Sequence, residues 1–388
     1  MKKEWQTRTL EEVCQFQSGL WKGENPPFVK IGVIRNTNFT KEGTLNDSDI
    51  AYLDVEVKKY EKRRLQFGDI ILEKSGGGPK QPVGRVALFD MKEGDYSFSN
   101  FTASIRVQDP DELDFRFVHR FLHWTYVAGV TERMQSNSTG IRNLDGEAYK
   151  AIEISFPPLD EQKRIVAKLD EAFVGLAKAK ENAEKNLQNA RALFESYRKA
   201  NLSHRDSDWI ETTVDRLSTN LDSKRVPITK HIRSSGKYPY YGASGIVDYV
   251  ADYIFEGDNL LVSEDGANLL ARSTPIAFSV SGKYWVNNHA HILHFEDRAT
   301  QRFVEQYLES IKLDEYITGA AQPKLNQKAL NTIPILLPKS VNKQAEIVTK
   351  IETFQQETHR LSSIYKQKLD ALESFKKSIL HEAFSGNL

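Results

Sequence analysis

The chain is written almost twice. Trp5 to Leu10 (WQTRTL) returns as Trp209 to Val214 (WIETTV), and Gly68-Asp69-Ile70 returns as Gly257-Asp258-Asn259. Each half then closes with an extended segment, prolines, a glutamine and a long helical stretch. Solenoid units repeat every ~20 to 50 residues, so a repeat of this size is a globular domain followed by a helix, made twice. In a chain of 388 residues each half is long enough to bury its own core. Such a chain is built to touch two similar objects at a set separation.

Residues 5 to 157 read as mixed α and β. Phe28 to Ile34, Asp69 to Leu72, Gly84 to Phe89 and Ala103 to Val107 are short β-rich runs separated by Gly, Pro and Asn clusters. Glu112 to Val127 breaks the pattern by placing Phe115, Val118, Phe121 and Leu122 at helical spacing, and Thr300 to Ile311 does the same with Phe303, Val304, Tyr307 and Leu308. Both helices precede a glycine-containing loop, Asn137 to Asn143 and Thr318 to Lys324, and then an apolar strand, Ile152 to Phe156 and Ile333 to Leu337.

The long helical stretches carry heptad seams. Ile165, Leu169, Leu176, Leu187 and Tyr197 mark the first, and Ile347, Ile351, Leu361, Leu369, Leu372 and Ile379 the second. Both seams step by four and three until one place, where two steps of four follow each other: Ala179-Ala183-Leu187 and Leu361-Tyr365-Leu369. A shared local unwinding of a supercoil is expected there. Each stretch starts three residues after a glutamine, Gln162 or Gln344, so the seams also share a phase. Two matching seams in one chain most simply pair with each other, giving a rod of roughly 50 Å at about 1.5 Å rise per residue. From Gln162 to Tyr197 is one turn longer than from Gln344 to Phe375, which predicts a departure from exact two-fold symmetry.

Composition narrows the class. Lys+Arg and Asp+Glu are both 53, a balance that counts against a free-standing nucleic-acid binder unless charge is segregated by face or a partner supplies phosphate contacts. No apolar run approaches the roughly 18 residues of a membrane span, and the start lacks a secretion signal, so a cytoplasmic protein with no membrane contact is expected. One cysteine, Cys14, excludes an internal disulfide and argues for a buried thiol rather than a metal ligand.

With these features in order, the chain resembles the specificity subunit of type I restriction-modification systems. The resemblance rests on the two halves, the helix openings FPPLDEQKRIVAKLD and LPKSVNKQAEIVTKI, the run FVKIGVIRNTNF, the later YPYYGASGIVDYV and VNNHAHIL, and the closing ILHEAFSGNL. It covers essentially the whole chain. It implies an α+β protein in which two mixed α/β target-recognition domains are separated by two long helices forming an intramolecular, antiparallel coiled coil, related by a pseudo-two-fold repeat. The expected divisions are a first domain over 1–157, a first spacer helix over 158–203, a second domain over 204–337 and a second spacer helix over 338–388. The implied partners are double-stranded DNA, two adenine methyltransferase subunits and, in the full complex, restriction subunits. S-adenosylmethionine and ATP would then sit on those partners and none on this chain, which would act in host defence as a non-catalytic subunit.

Other chemistry is tempting. Asn25-Pro26-Pro27-Phe28 has the form with which adenine-N6 methyltransferases grip the target amino group, but only 24 residues precede it, too few for a cofactor-binding α/β unit. The Ser75 to Gly78 cluster lacks the ending of a phosphate-binding loop, and no nucleophile elbow occurs. His289, His291 and His294 invite a metal, yet no cysteine or carboxylate cluster at ligand spacing accompanies them. Neither catalysis nor a metal site is expected.

Base reading needs directional hydrogen-bonding side chains on rigid loops with cations nearby. The first half offers Lys74, Ser75, Lys80, Gln81 and Arg85 around its glycines, and Thr139, Arg142 and Asn143 after its helix. The second offers Tyr238, Tyr240 and Tyr241, then Asn287, Asn288 and His289, then Gln322 and Lys324. The halves differ most here: KSGGGPKQPVGR becomes SEDGANLLARST while the helix openings stay alike. A retained scaffold with divergent loops is what two different half-sites require. The competing reading is a duplicated coiled-coil scaffold that joins protein partners without reading DNA.

Overall fold

The computed structural model describes residues 5–21, 23–78, 81–138, 141–203, 207–319 and 321–388. Contacts divide the chain into two units, the first made of 1–183 with 368–388 and the second of 184–367. The cut therefore falls inside both long helices, Leu159–Leu202 and Val341–Phe384.

In the first unit the repeated opening segment forms the strand Gln6–Thr9, which pairs antiparallel with the closing strand Glu153–Phe156. Chain start and helix opening are thus clamped side by side. Between them lies a four-stranded antiparallel sheet, in the order Cys14–Ser18, Thr102–Val107, Ile70–Glu73, Val86–Leu88. A second sheet joins Ala51–Glu56, Phe28–Ile34 and Tyr96–Phe98. The helix Phe115–Val127 starts where the Asp114 carboxylate accepts from the Arg116 and Phe117 amides, and it buries Phe117, Val118, Phe121 and Leu122 against Ile70, Leu72 and Ile105. Each such side chain contributes roughly 1.5–3 kcal/mol by leaving water. Cys14 is in this core, and burial pushes its thiol up to about 12.

The second unit repeats the frame. Trp209–Thr213 pairs antiparallel with Pro334–Pro338, and the central sheet orders Thr219–Asn220, Ala290–His294, Asn259–Ser263, Ala277–Val280. A second four-stranded sheet joins Gly245–Val250, Ser235–Gly242, Lys283–Val286 and Phe255–Glu256. The helix Arg298–Ser310 buries Phe303, Val304 and Leu308. In both units the strand after the repeated Gly-Asp is the inner strand that leads out toward the loops.

Each long helix is tied to its domain twice. The Gln162 amide donates to the carbonyls of Glu112 (3.0 Å) and Pro157 (2.7 Å) and accepts from the Asp114 amide at 2.8 Å. Gln344 donates to Pro338 O at 2.7 Å and accepts from the Thr300 hydroxyl at 2.7 Å. Further along, Arg120 meets Asp170 at 2.7 Å and Arg302 meets Glu352 at 2.5 Å. Both ion pairs span 50 residues, a correspondence available from aligning the halves.

Within the first unit the helical stretches run antiparallel: Arg164 donates to Leu388 O at 2.7 Å, while Lys180 meets Glu373 at 3.2 Å. Ile165 and Leu169 are buried; Leu176, Leu369, Leu372 and Ile379 are half-buried. In the second unit Ile347 and Ile351 are buried, Leu187 is half-buried, and Tyr197 stacks on Phe354 with ring centroids 4.1 Å apart. Leu361 is 41% exposed, so this seam position is not enclosed. The expected one-turn difference between the helices is corrected: both have 44 residues with the glutamine at the fourth position. Tyr197 has a seam partner, whereas Phe375 is 56% exposed, so the two aromatics are not equivalent. Among the described residues no helix is long and apolar enough to cross a membrane.

Candidate nucleic-acid interface

In the first unit the strand Ile70–Glu73 ends in the core, and the chain turns outward through Ser75–Gly77. Those three residues pair with Ile141–Leu144, which pairs in turn with Gln135–Ser138. Two loops far apart in sequence thereby become one small sheet, with Asn143 opposite Ser75 and Arg142 opposite Gly77. The Ser75 hydroxyl donates to Asn143 Oδ1 at 2.6 Å, and the Leu144 amide donates to Lys74 O at 2.8 Å. Burial pulls the Lys74 ammonium below its usual value. Arg142 is half-buried beside Gln135 Oε1 (3.5 Å), and Gln81 is exposed. Lys80 and Thr139 lie outside the described residues.

Arg85 requires a correction. Its guanidinium donates to both oxygens of Glu73 (2.8 and 3.0 Å) and to Asn36 O at 3.0 Å. It holds the floor of the loop and does not face outward, because the buried carboxylate beside it has to be paired.

The second unit builds its counterpart from charge. Beyond Asn259–Ser263 the chain reaches Glu264 and Asp265, and Asp265 bridges to Lys324. Arg225 Nη1 lies 2.7 Å from Glu264 and Lys324 Nζ 3.2 Å from it, while the Glu264 amide donates to His289 O at 2.9 Å. His291 is buried, with Nδ1 2.5 Å from Asp222 and Nε2 2.8 Å from Leu325 O. Burial alone would raise the Asp222 and Glu264 carboxyls, but the hydrogen bonds and charges of His291 and Arg225, with the Ile292 amide on Asp222 and Lys324 on Glu264, hold both below the usual range. Asp222, Glu264 and His291 bring ligand-type atoms within 4.8 Å of one another, the spacing of a metal site. Their donors and acceptors are already engaged by Arg225, Lys324 and Leu325, so the cluster serves as a charge network that joins four loops.

On this network stand the exposed Asn288 and Lys324 and the His289 ring, whose Nδ1 is 2.9 Å from Asp265; Gln322 is exposed in the preceding turn. Asn287 is buried instead, its side-chain oxygen accepting from the His289 amide at 2.8 Å to shape the turn. The tyrosines need correcting. Tyr240 is 1% exposed, lies under the Arg233 guanidinium at 4.2 Å and shares its hydroxyl with the Ile228 backbone, so it belongs to the core. Tyr241 packs on Phe278 and Tyr284, and Tyr238 lies 5.0 Å from Tyr253. Alternation along Ser235–Gly242 sends neighbouring tyrosines to opposite faces, and both faces of this strand are partly covered.

Sequence reasoning passed over Asn36, Glu73, Asp222, Arg225 and Glu264, which organise these loops. Apart from Arg225 beside Asp222, the partners named above lie 12 to 70 residues away, so little local spacing marks them. The arrangement supplies fixed donors and acceptors with cations beside them, suited to recognising hydrogen-bonding edges.

A family profile described as type I restriction modification DNA specificity domain matches residues 2–185 and again 207–373. A putative type I restriction enzyme specificity subunit of Haemophilus influenzae is 36% identical over 135 residues, covering 35% of this chain and 34% of that relative. The putative MjaX specificity subunit of Methanocaldococcus jannaschii is 21% identical across 100% of this chain and 94% of its own. The StySPI specificity subunit of Salmonella potsdam is 22% identical over 92% and 82%. Among solved structures, a chain from a type I R-M system superposes with a TM-score of 0.80 at 16% identity, with full coverage of both chains. The HsdS subunit of Thermoanaerobacter tengcongensis gives 0.64 at 16% identity, covering 99% and 97%. At these identities the structural likeness establishes the fold.

Proposed function

The chain belongs to the type I restriction-modification DNA specificity family, and from that membership we propose that it selects the DNA sequence on which partner subunits act. Each globular unit reads one half of a bipartite double-stranded target. The paired helices set the spacing and dock two adenine methyltransferase subunits, with restriction subunits completing the assembly. S-adenosylmethionine and ATP chemistry belongs to those partners, and this chain contributes position without catalysis. The working divisions remain 1–157 and 204–337 as readers, with 158–203 and 338–388 as the spacer. A protein-only scaffold gains nothing from the family membership.

One observation carries the reading. Arg142 and Lys324 each stand 20 residues before the helix-opening glutamine, and each makes a β-bridge to the outgoing loop, yet the first faces Gly77 and the second Asp265. An identical frame with different loop chemistry at matched places is the requirement for reading two different half-sites. The test is to map methylated adenines in the host with the wild-type chain, with Arg142→Ala and with Lys324→Ala. Arg142→Ala should weaken selection at one half-site and Lys324→Ala at the other. Equal loss at both half-sites for either variant would overturn the assignment.

A further inference from the structure

Building on the reading that the first unit contacts DNA, we propose that a polar cup beside its glycine cluster is the base-reading site, and that Asn36 is its specificity-determining residue, suited to adenine. The cup has a volume of about 480 Å³ and is lined by Asn36, Thr37, Gly76 and Gln81 above a floor of Glu73 and Arg85. Asn36 lies inside the run FVKIGVIRNTNF, where nothing sets it apart from its neighbours as a reader of bases.

The floor comes first. The Glu73 side chain is 1% exposed and that of Arg85 15%, and their double hydrogen bond cancels a carboxylate that would otherwise repel DNA. This ion pair grips Asn36 at two points: Arg85 Nη2 donates to its backbone oxygen at 3.0 Å, and Glu73 Oε1 accepts from its Nδ2 at 3.1 Å. An ionised carboxylate can only accept, so it decides which end of the amide is nitrogen. Asn36 therefore keeps a second Nδ2 hydrogen and its Oδ1 for a ligand, with the nitrogen end set by the carboxylate. Adenine presents the complement in the major groove, an N7 acceptor next to an N6 donor, and asparagine is a bidentate match for that edge.

The glycines make the approach possible. Gly76 has φ +100, and a Cβ there would lie 2.9 Å from Asn36 Nδ2, so a side chain would displace the reader. A Cβ on Gly78 would meet no atom of the described residues beyond its chain neighbours within 4 Å. Glu73 acts through Asn36 and is a positioning residue.

The experiment uses the chain assembled with its methyltransferase subunits and a DNA library randomised at both half-sites. Wild type should show a strong adenine preference at one position of one half-site. Asn36→Ala should reduce that preference about 10- to 100-fold, the range of one bidentate contact, and leave the other half-site unchanged as an internal control for folding. Gly76→Ala should relax the same position. If Asn36→Ala keeps every preference, or relaxes a position where wild type selects another base, the proposal is overturned while DNA reading stands. If wild type selects no sequence at either half, the underlying reading fails with it.

Discussion

Gln162 and Gln344 are single residues with the same task, joining the first turn of a long helix to the domain before it. A buried amide satisfied on both sides is costly to remove, because its partners stay behind without hydrogen bonds. Gln162→Ala strands the Asp114 amide and two carbonyls, and should lower stability by about 2–4 kcal/mol in urea unfolding. A change below about 0.5 kcal/mol, the range of an ordinary surface substitution, would contradict this role. The sequence showed that the glutamines share a phase with the seams. It could not show what they bind, since the Glu112 carbonyl lies 50 residues away and any backbone carbonyl looks alike in sequence. Arg85 and Tyr240 mark the same limit from the other side. Their residue types suit DNA contact, yet their partners, Glu73 and the Ile228 backbone, turn them inward.

Among elements, the strands and helices followed from periodicity, because alternation and helical spacing are local properties. Which loops come together did not, since Ser75–Gly77 meets Ile141–Leu144 only through the register of a small sheet. In the second unit the corresponding join is electrostatic, with Asp222 and Glu264 held as carboxylates by His291, Arg225 and Lys324. Their folded values lie below the unfolded references of 3.8 and 4.5, so the stability they contribute is present above those references and is lost as pH falls through the lowered folded values. The resistance of the second unit to urea should therefore fall as pH drops below about 4, and Asp222→Asn should flatten that dependence. An unchanged acid slope in the variant would show that the network does not hold the loops.

For the whole molecule, the first unit is assembled from two stretches of chain, 1–183 and 368–388, with the second unit's sequence between them. Phe384 packs edge-on to Phe117 and Phe121 and beside Trp124, and Leu380 and Ala383 are fully buried in the same core. Phe384→Ala should cost the first unit about 2–4 kcal/mol, near the low end for a large aromatic because the ring is only half-buried. Hydrogen exchange resolved by segment should show the helix Phe115–Val127 losing protection while Arg298–Ser310 keeps its own; loss in both helices would be incompatible with two separate cores. By itself the sequence determined the duplication, the α+β class, the helix phase and the divergence of the loops, since each is written in spacing along the chain. Only the tertiary structure decided which side chains face out, that Arg85 and Tyr240 serve the interior, that the helices are equal in length, and that Asn36 sits over Glu73. Those facts depend on contacts between residues distant in sequence, and burial and pairing there override what a residue type suggests alone.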